Sequence, residues 1–308
     1  MELAARLKRI FGALDGAGYA WEPQTPDRLV EMRKGHHAPS LTAALGLGIY
    51  PEGGEDWSEG ALIAEDVEWL KRERAAVARL DGIWIIHDHW PPKPQTASQY
   101  VHLGPESRQL LSLLRERAGE LQGASLLDLG SGSGVLSMGL LDVISRALGL
   151  ELSARAALWS KAAAEAQGLD RARFACARIG VPQADAAVSA AGGEWDAAIF
   201  NPPMMIPHRG QDFPHRDGGR LGIEIPKIFL EASRRWLRPG GQAMGLITNP
   251  IVAGKGLFFE EFKPTGWDWA ERERIHPRFN QTSARKEGIR DELGVERVEL
   301  WFIRLQKR

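Results

Sequence analysis

The fold is decided by the stretch LLDLGSGSGV, residues 126–135. An apolar run ends in Asp128, and three alternate glycines follow before a segment of helix-forming residues. Such a run predicts a buried parallel strand that leads through a tight turn into a helix. Glycines allow positive φ angles in the turn and let a ligand approach the backbone closely. A dinucleotide-binding turn would carry its third glycine one position later, at Val135, so the spacing disfavours a pyridine-nucleotide enzyme.

The composition is that of an ordinary globular protein. The chain has 308 residues, enough for a core domain and a second small one, and its formal net charge of −1 gives no electrostatic argument for nucleic acid or membrane as a partner. No apolar run approaches the ~20 residues that span a bilayer. The amphipathic N-terminus lacks the pattern of a signal peptide, and the single Cys176 cannot form an intramolecular disulfide. We therefore expect a cytoplasmic protein without a membrane partner.

Residues 1–99 predict a smaller, mainly helical N-terminal module. Apolar periodicity predicts a helix that opens the chain and ends at Gly16, short helices over 25–32 and 41–45, a loop over 51–60, a helix over 66–80 and a strand over 83–86. Helices followed by a strand or hairpin are compatible with a winged-helix-like module. A role in substrate recognition or as a lid is favoured over nucleic-acid binding, because the charged run at 71–74 is typical of a solvated face.

Four histidines of this module invite a metal-binding interpretation. They are His36, His37, His87 and His89. No cysteine or second carboxylate cluster stands near them at ligand spacing, and two adjacent histidines rarely turn toward one ion. We therefore expect no metal site.

Residues 100–308 alternate predicted strands with predicted helices, which indicates one α/β domain. The predicted helices cover 107–120, 134–146, 153–166 and 223–237, and the predicted strands cover 126–129, 148–152, 172–179, 195–200, 242–248, 267–275 and 297–305. This alternation predicts a doubly wound, mostly parallel, seven-stranded sheet with helices on both faces. In such sheets ligands bind at the carboxyl ends of the strands.

Two further segments place chemistry at this edge. The second strand ends in an acid, Glu151, and an acid at this point of a nucleotide-binding fold accepts hydrogen bonds from both ribose hydroxyls. The fourth strand runs into Asn201-Pro202-Pro203-Met204. Because Pro203 has no N–H, the carbonyl of Pro202 and the carboxamide oxygen of Asn201 form two fixed acceptors for an –NH₂ group. Holding both hydrogens would aim the nitrogen lone pair at an electrophile.

These motifs resemble those of the class I S-adenosylmethionine (SAM) methyltransferases that methylate amino groups, and HemK-type protein-glutamine methyltransferases are the most similar group. The resemblance rests on the glycine turn, on Asn-Pro-Pro, on Pro105-Glu106-Ser107, on Asp217-Gly218-Gly219 and on the Arg-Pro-Gly-Gly run at 238–241, and it covers about residues 100–250. It implies a Rossmann-like methyltransferase fold over 100–308 and SAM as the cofactor. It implies catalytic roles for Asn201 and Pro202, substrate contacts for Pro203 and Met204, and cofactor contacts for Asp128, Gly130, Ser131, Gly132, Gly134, Glu151 and Leu152.

The departures from that family concern the substrate more than the fold. Met204 stands where the family has Tyr or Phe, and no acid follows the third strand to contact adenine, which leaves Asp185 as a weak candidate. Three classes of methyl acceptor remain. A protein glutamine follows from the resemblance, and a small molecule follows from Met204 and the eleven tryptophans. A base in RNA or DNA is less favoured because of the charge. A SAM sensor and a transferase of the aminocarboxypropyl group are the alternatives to methylation.

Overall fold

The computed structural model describes residues 2–19, 62–89, 99–206, 217–219, 221–275 and 293–308. The helices predicted over 25–32 and 41–45, the loop over 51–60 and the pair His36 and His37 lie outside the described residues.

The glycine-rich stretch follows a strand inside a mixed sheet. Its strands are β3 (Ser125–Leu129), β4 (Arg146–Glu151), β5 (Ala172–Cys176), β6 (Trp195–Phe200), β7 (Leu237–Val252), β8 (Lys255–Gly256), β9 (Trp267–Ile275) and β10 (Val295–Lys307). The order across the sheet is β5-β4-β3-β6-β7-β10-β9, and the short β8 pairs with β7. Neighbours from β5 to β7 are parallel, whereas β10 is antiparallel to both β7 and β9. The predicted seven-stranded, mostly parallel α/β sheet is therefore confirmed.

Helices cover both faces of this sheet, and a hairpin precedes it. The helices are α1 (Glu2–Gly16), α2 (Ala64–Glu73), α3 (Pro105–Glu116), α4 (Ala118–Leu121), α5 (Val135–Gly139), α6 (Ala154–Ala166), α7 (Pro182–Ala190), α8 (Glu224–Trp236) and α9 (Leu257–Glu261). Strands β1 (Ala75–Leu80) and β2 (Ile83–Asp88) form the hairpin. The amphipathic patterns of α1 and α8 bury one apolar face each, as the periodicity predicts.

The helix predicted over 66–80 is wrong in its second half. Arg74 adopts a left-handed conformation with φ 54°, which ends α2, and its N–H bonds the carbonyls of Leu70 and Lys71. The chain then turns back through Asp81 and Gly82, whose φ angles of 49° and 83° suit a two-residue hairpin turn. Val77 and Leu80 match helical spacing, but the pairing of β1 with β2 decides the local structure.

The helix predicted over 134–146 is also too long. It ends at Gly139, where a neighbouring helix packs closely and arginine side chains bond the backbone carbonyls. Leu111 lies 3.0 Å from the position that a Cβ on Gly139 would take, and Arg115 donates a hydrogen bond to the carbonyl of Gly139. Arg171 donates to the carbonyls of Leu141 and Ile144. These arginines satisfy carbonyls that a continued helix would have bonded internally.

The Pro-Gly-Gly run does not separate α8 from the fifth strand of the sheet. Strand β7 begins at Leu237 and extends to Val252, beyond the predicted limits of 242–248. Its pairing with β6 shifts between Trp195 and Ala197, so the segment 238–241 bulges out of the ladder. A bulge accommodates proline and glycine at the start of a strand without ending it.

The N-terminal region and the sheet share one hydrophobic core. Buried side chains of α1, α2 and the hairpin pack in the same cluster as those of α3, α6 and the sheet, and α1 contacts α6. A second cluster on the opposite face joins the sheet to α7, α8 and α9. The division at residue 99 and the winged-helix-like character stay predictions. Within the described residues, no helix is long and apolar enough to cross a membrane.

Candidate functional site

A cavity of about 230 Å³ opens at the carboxyl ends of the parallel strands. The glycine turn after β3, the acid that ends β4, the residues after β5 and the segment after β6 all reach it, as the topology of such sheets predicts. Seven of the predicted site residues line it, namely Gly130, Ser131, Gly132, Glu151, Leu152, Asn201 and Pro203.

The glycine turn forms the floor of the cavity. Gly130, Gly132 and Gly134 all have positive φ angles, which L side chains rarely adopt. The three positions differ in what surrounds them. A Cβ on Gly132 would point toward the cavity wall, 3.7 Å from the carbonyl of His102, whereas a Cβ on Gly134 would collide with the ring of Phe174 at 2.7 Å. Gly134 therefore allows close packing behind the turn and does not line the cavity.

Asp128 lies behind the turn rather than in the cavity. Its Oδ2 accepts hydrogen bonds from the backbone N–H and the hydroxyl of Ser137, at 3.2 and 2.7 Å. Its Oδ1 is buried and has no partner among the described residues. Burial raises the pKa of Asp128 to about 7, and the bonds from Ser137 only partly oppose this effect. In the structure this carboxyl ties the end of β3 to Ser137 of α5, and it does not line the cavity. Its predicted contact with the cofactor stays a prediction.

Glu151 is held rigidly at the cavity. Its Oε2 accepts from the backbone N–H of Gly132 and its Oε1 from that of Ser153, both at 2.8 Å. Burial raises the pKa of Glu151, while these backbone donors lower it. A carboxylate has about four lone-pair sites, so two bonds fix its orientation and leave acceptor capacity for ligand hydroxyls. This arrangement suits the predicted contact with a ribose.

Beyond Glu151 the cavity wall is largely apolar. Leu152 and Ile228 line it although they are 55% and 43% exposed, and they are joined there by Ala177 and Ile179. Asp185, the weak candidate for an adenine contact, does not line the cavity. Its carboxylate instead accepts a hydrogen bond from the indole of Trp236 at 2.7 Å. The structure thus offers apolar surface where the family usually has an acid.

Asn201 brings an unsatisfied acceptor to the opposite end of the cavity. Its Nδ2 donates to the hydroxyl of Ser107 at 3.4 Å, and Ser107 is a buried residue in the first turn of α3. Its Oδ1 is buried and accepts no hydrogen bond from the part of the chain that the structure describes. A buried acceptor without a partner costs about 1–3 kcal/mol, so a ligand N–H at this point is favourable.

The segment after Asn201 is clamped from two sides. The hydroxyl of Thr248, a buried residue of β7, lies 3.2 Å from the carbonyl of Met204 and 3.1 Å from that of Gly222. A Cβ on Gly218 would come within 2.7 Å of the Cα of Met204, so backbones touch directly here. Pro202 and Met204 do not line the cavity, and their predicted contacts stay predictions.

Several residues that line the cavity are not among the predicted site residues. These include Tyr100, His102, Ser107, Asp217, Ile225, Ile228 and Phe229. Tyr100 and His102 directly follow the predicted division at residue 99, and only tertiary packing brings this stretch against the glycine turn. The resemblance of Pro105-Glu106-Ser107 to a family motif was the one available signal for Ser107.

The histidine-rich segment of the hairpin has structural contacts. His87 is buried, and burial lowers its pKa to about 4, so the ring is neutral at physiological pH. It hydrogen-bonds the carbonyl of Asp88, whose carboxylate pairs with Arg155. Among the described residues no three His, Cys, Asp or Glu side chains form a group that could hold a metal ion.

Solved structures of similar fold include methyltransferases. Trm5b from Pyrococcus abyssi superposes with a TM-score of 0.50 and 12% identity over 76% of this chain and 56% of that one. SMU.776, crystallised with S-adenosylhomocysteine (SAH), superposes with a TM-score of 0.50 and 13% identity over 76% of this chain and 56% of that one. The T. thermophilus 16S rRNA methyltransferase RsmC, crystallised with AdoMet and guanosine, superposes with a TM-score of 0.44 and 20% identity over 76% of this chain and 50% of that one. The chain spans about half the length of RsmC and of TrmN from Thermus thermophilus.

The cavity itself fits SAM. The turn lets a ligand approach the backbone, the oriented carboxylate of Glu151 suits a ribose, and the apolar wall beyond it suits an adenine ring. No curated protein matches the chain. Residues 100–264 match the family described as Methyltransferase small domain. Because this span covers more than half of the chain, the protein belongs to the methyltransferase small domain family of class I SAM-dependent methyltransferases, and SAM is its cofactor.

Proposed function

We propose that the protein transfers a methyl group from SAM to a planar or amide-type nitrogen held by Asn201 and Pro202. The observation that supports this most directly is the buried Oδ1 of Asn201, which accepts no hydrogen bond from the described residues and belongs to a side chain that lines the cofactor cavity. An acceptor –NH₂ group would satisfy it. The HemK-like motifs of the sequence support the same chemistry.

The residues of the chain bind and orient the reactants in this proposal. The glycine turn and Glu151 hold the nucleoside part of SAM, and SAM supplies a methyl group on an electrophilic sulfonium. Asn201 Oδ1 and the carbonyl of Pro202 each accept one hydrogen of the acceptor nitrogen, which points its lone pair toward the cofactor. Alignment of this kind supplies most of the rate when no strong nucleophile must be generated, and effective concentrations of oriented groups are large.

The acceptor that we favour is a protein glutamine or a small molecule. The cavity that Asn201 enters is also lined by Tyr100, Ser107 and Asp217, a mixture of groups that can bond to amides and ring nitrogens. A net charge of −1 gives no electrostatic footprint for a polyanion, so RNA or DNA stays the alternative acceptor. We assign residues 1–99 a part in recognising the acceptor.

The test is to incubate a cell lysate with SAM that carries a labelled methyl group and to separate protein, nucleic acid and small molecules. We expect label in the protein or small-molecule fraction, and label confined to nucleic acid would support the alternative. Transfer of an aminocarboxypropyl group would be identified by the mass that the acceptor gains.

Asn201→Ala should abolish the labelling while its affinity for SAH stays within about twofold of the native value, because Asn201 is assigned to the acceptor. Asn249→Ala is the matched control. It removes a second buried carboxamide of the same sheet, but that carboxamide bonds the backbone N–H of Phe258 at 3.1 Å and does not line the cavity. Unchanged labelling by Asn201→Ala with SAH binding intact would refute the proposal.

A further inference from the structure

One wall of the cofactor cavity comes from the N-terminal side of the methyltransferase fold. Tyr100 and His102 line the cavity, and the carbonyl of His102 lies against the glycine turn next to Gly132. Residues 99–102, which we call the wall segment, form no regular strand and belong to neither the sheet nor α3. Their position against the turn must therefore be set by contacts with other elements.

Asp88, the last residue of β2, makes several of those contacts, and Ser153, the N-cap of α6, makes others with Gln99. Oδ2 of Asp88 accepts a hydrogen bond from the backbone N–H of Val101 at 2.7 Å, and the N–H of Asp88 donates to the carbonyl of Val101 at 3.0 Å. The hydroxyl of Tyr100 lies 3.5 Å from the carbonyl of Asp88. The hairpin thus bonds the wall segment at Val101, which lies between the two cavity-lining residues of that segment.

The other carboxylate oxygen of Asp88 reaches the opposite wall. Its Oδ1 accepts from Nη2 of Arg155 at 3.0 Å, in the first turn of α6. Arg155 also bonds the carboxylate of Glu73 at 2.9 Å and its carbonyl at 2.6 Å. Ser153, the N-cap of α6, and Ala156, which follows Arg155, line the cavity. One partly buried carboxylate therefore links the hairpin, the wall segment and the helix that flanks Glu151.

We propose that Asp88 is a positioning residue for the cofactor, which holds the wall segment and α6 in register so that the N-terminal hairpin supports the SAM site through the wall segment. The inference rests on the cofactor cavity alone and is independent of which group accepts the methyl. It also gives the hairpin a role in every turnover, in addition to any part in recognising the acceptor.

A merely structural role for Asp88 has a clear comparison in the same region. Asp66 of α2 is buried, and it pairs with Arg9 of α1 at 2.6 Å. Neither Asp66 nor Arg9 lines the cavity or bonds a residue that does so among their described contacts. The two aspartates therefore share an arginine partner and the N-terminal region, but only Asp88 contacts the wall segment.

The test is calorimetric titration of the full chain with SAH, comparing Asp88→Asn with Asp66→Asn. In Asp88→Asn an amide replaces the carboxylate oxygen that faces Arg155 or the one that faces Val101, so one of the two links is lost. We expect its dissociation constant for SAH to rise about tenfold, a size typical of slightly displaced binding groups. The affinity of Asp66→Asn for SAH should stay within about twofold of the native value, even if its melting temperature falls as much as that of Asp88→Asn.

Arg155→Gln keeps the experiment decisive if Asp88→Asn fails to fold. It removes the link to α6 and leaves the bond to Val101, so we expect a smaller rise in the dissociation constant, about threefold to tenfold. Native SAH affinity in Asp88→Asn, or in Arg155→Gln if Asp88→Asn does not fold, would overturn the proposal, and so would an equal loss of affinity in Asp66→Asn. Because SAH binding needs no acceptor, these outcomes are distinct from a failure of the proposed methylation of nitrogen.

Discussion

Replacing Glu151 by Gln should uncouple cofactor affinity from stability. In the native protein both carboxylate oxygens accept a backbone N–H at 2.8 Å, one from Gly132 and one from Ser153. A glutamine has a single acceptor oxygen, so its NH₂ group must face one of the two donors. The glycine turn or the start of α6 then loses its anchor, and the ribose loses a charged acceptor.

The size of the effect follows from these contacts. A hydrogen bond to a charged group contributes about 1.5–3 kcal/mol, which corresponds to a rise of about 10- to 150-fold in the dissociation constant for SAH. The free energy of unfolding should change far less. Burial raises the pKa of Glu151, which means that its charge is poorly solvated, and the neutral amide relieves that cost.

Calorimetric titration with SAH and thermal melts of the same samples provide the measurement. Glu165→Gln is the matched control, because this residue lies on α6 and its side chain is 44% exposed. Within the described part of the chain, its carboxylate forms one ion pair, with Lys161 at 3.8 Å. It should leave both quantities unchanged. A Glu151→Gln protein that binds SAH like the native chain would refute the assignment of Glu151 to the cofactor.

Two further predictions concern the groups that support the site. Thr248→Val removes the hydroxyl that lies between the carbonyls of Met204 and Gly222. The free energy of unfolding should fall by about 1–2 kcal/mol, and methyl incorporation should fall more than SAH affinity. Thr248→Ser should restore the stability and the methyl incorporation, and equal labelling by the valine and serine variants would contradict this. For Asp128, the pKa of about 7 in the folded state exceeds the ordinary value of 3.8, so the folded protein binds more protons than the unfolded chain between these pH values. The unfolding free energy of the native protein should therefore fall relative to that of Asp128→Asn as the pH rises from about 4 to 7, by up to about 1.4 kcal/mol per pH unit, and parallel urea-unfolding curves at each pH check this. A constant difference across that range would show that Asp128 is ionised at low pH in the fold.

Local pattern alone located the elements whose signals are short-range. Strand β6 has the predicted limits of 195–200, and β9 has those of 267–275. The apolar run of β6 ends at Asn201-Pro202, and β9 follows the turn at 264–266. The α/β alternation was enough for the sheet and for the edge at which ligands bind, since parallel strands bring their carboxyl ends to one edge. The cofactor followed from the resemblance of the motifs to those of SAM methyltransferases.

Where local signals competed, the neighbouring chain decided. Val77 and Leu80 fit a helix as well as a strand, and the antiparallel pairing with β2 selected the strand. Gly139 ends α5 because Leu111 packs against it and Arg115 takes its carbonyl, two contacts with a helix more than twenty residues earlier in the chain. Such contacts leave no periodic trace at the position that they change.

The sequence by itself determined the class of the sheet and the edge at which ligands bind, because periodicity, glycine spacing and the ends of strands are local properties, and the resemblance of its motifs to a known family implied the cofactor. Tertiary structure alone decided that Asp128 bonds Ser137 of α5 behind the turn, that Oδ1 of Asn201 is buried beside the cavity without a partner among the described residues, and that Asp88 joins the hairpin to the wall segment. These three facts depend on which groups from distant parts of the chain exclude water around a polar atom. Burial of that kind sets hydrogen-bond needs and pKa values, and it exists only once the chain has packed.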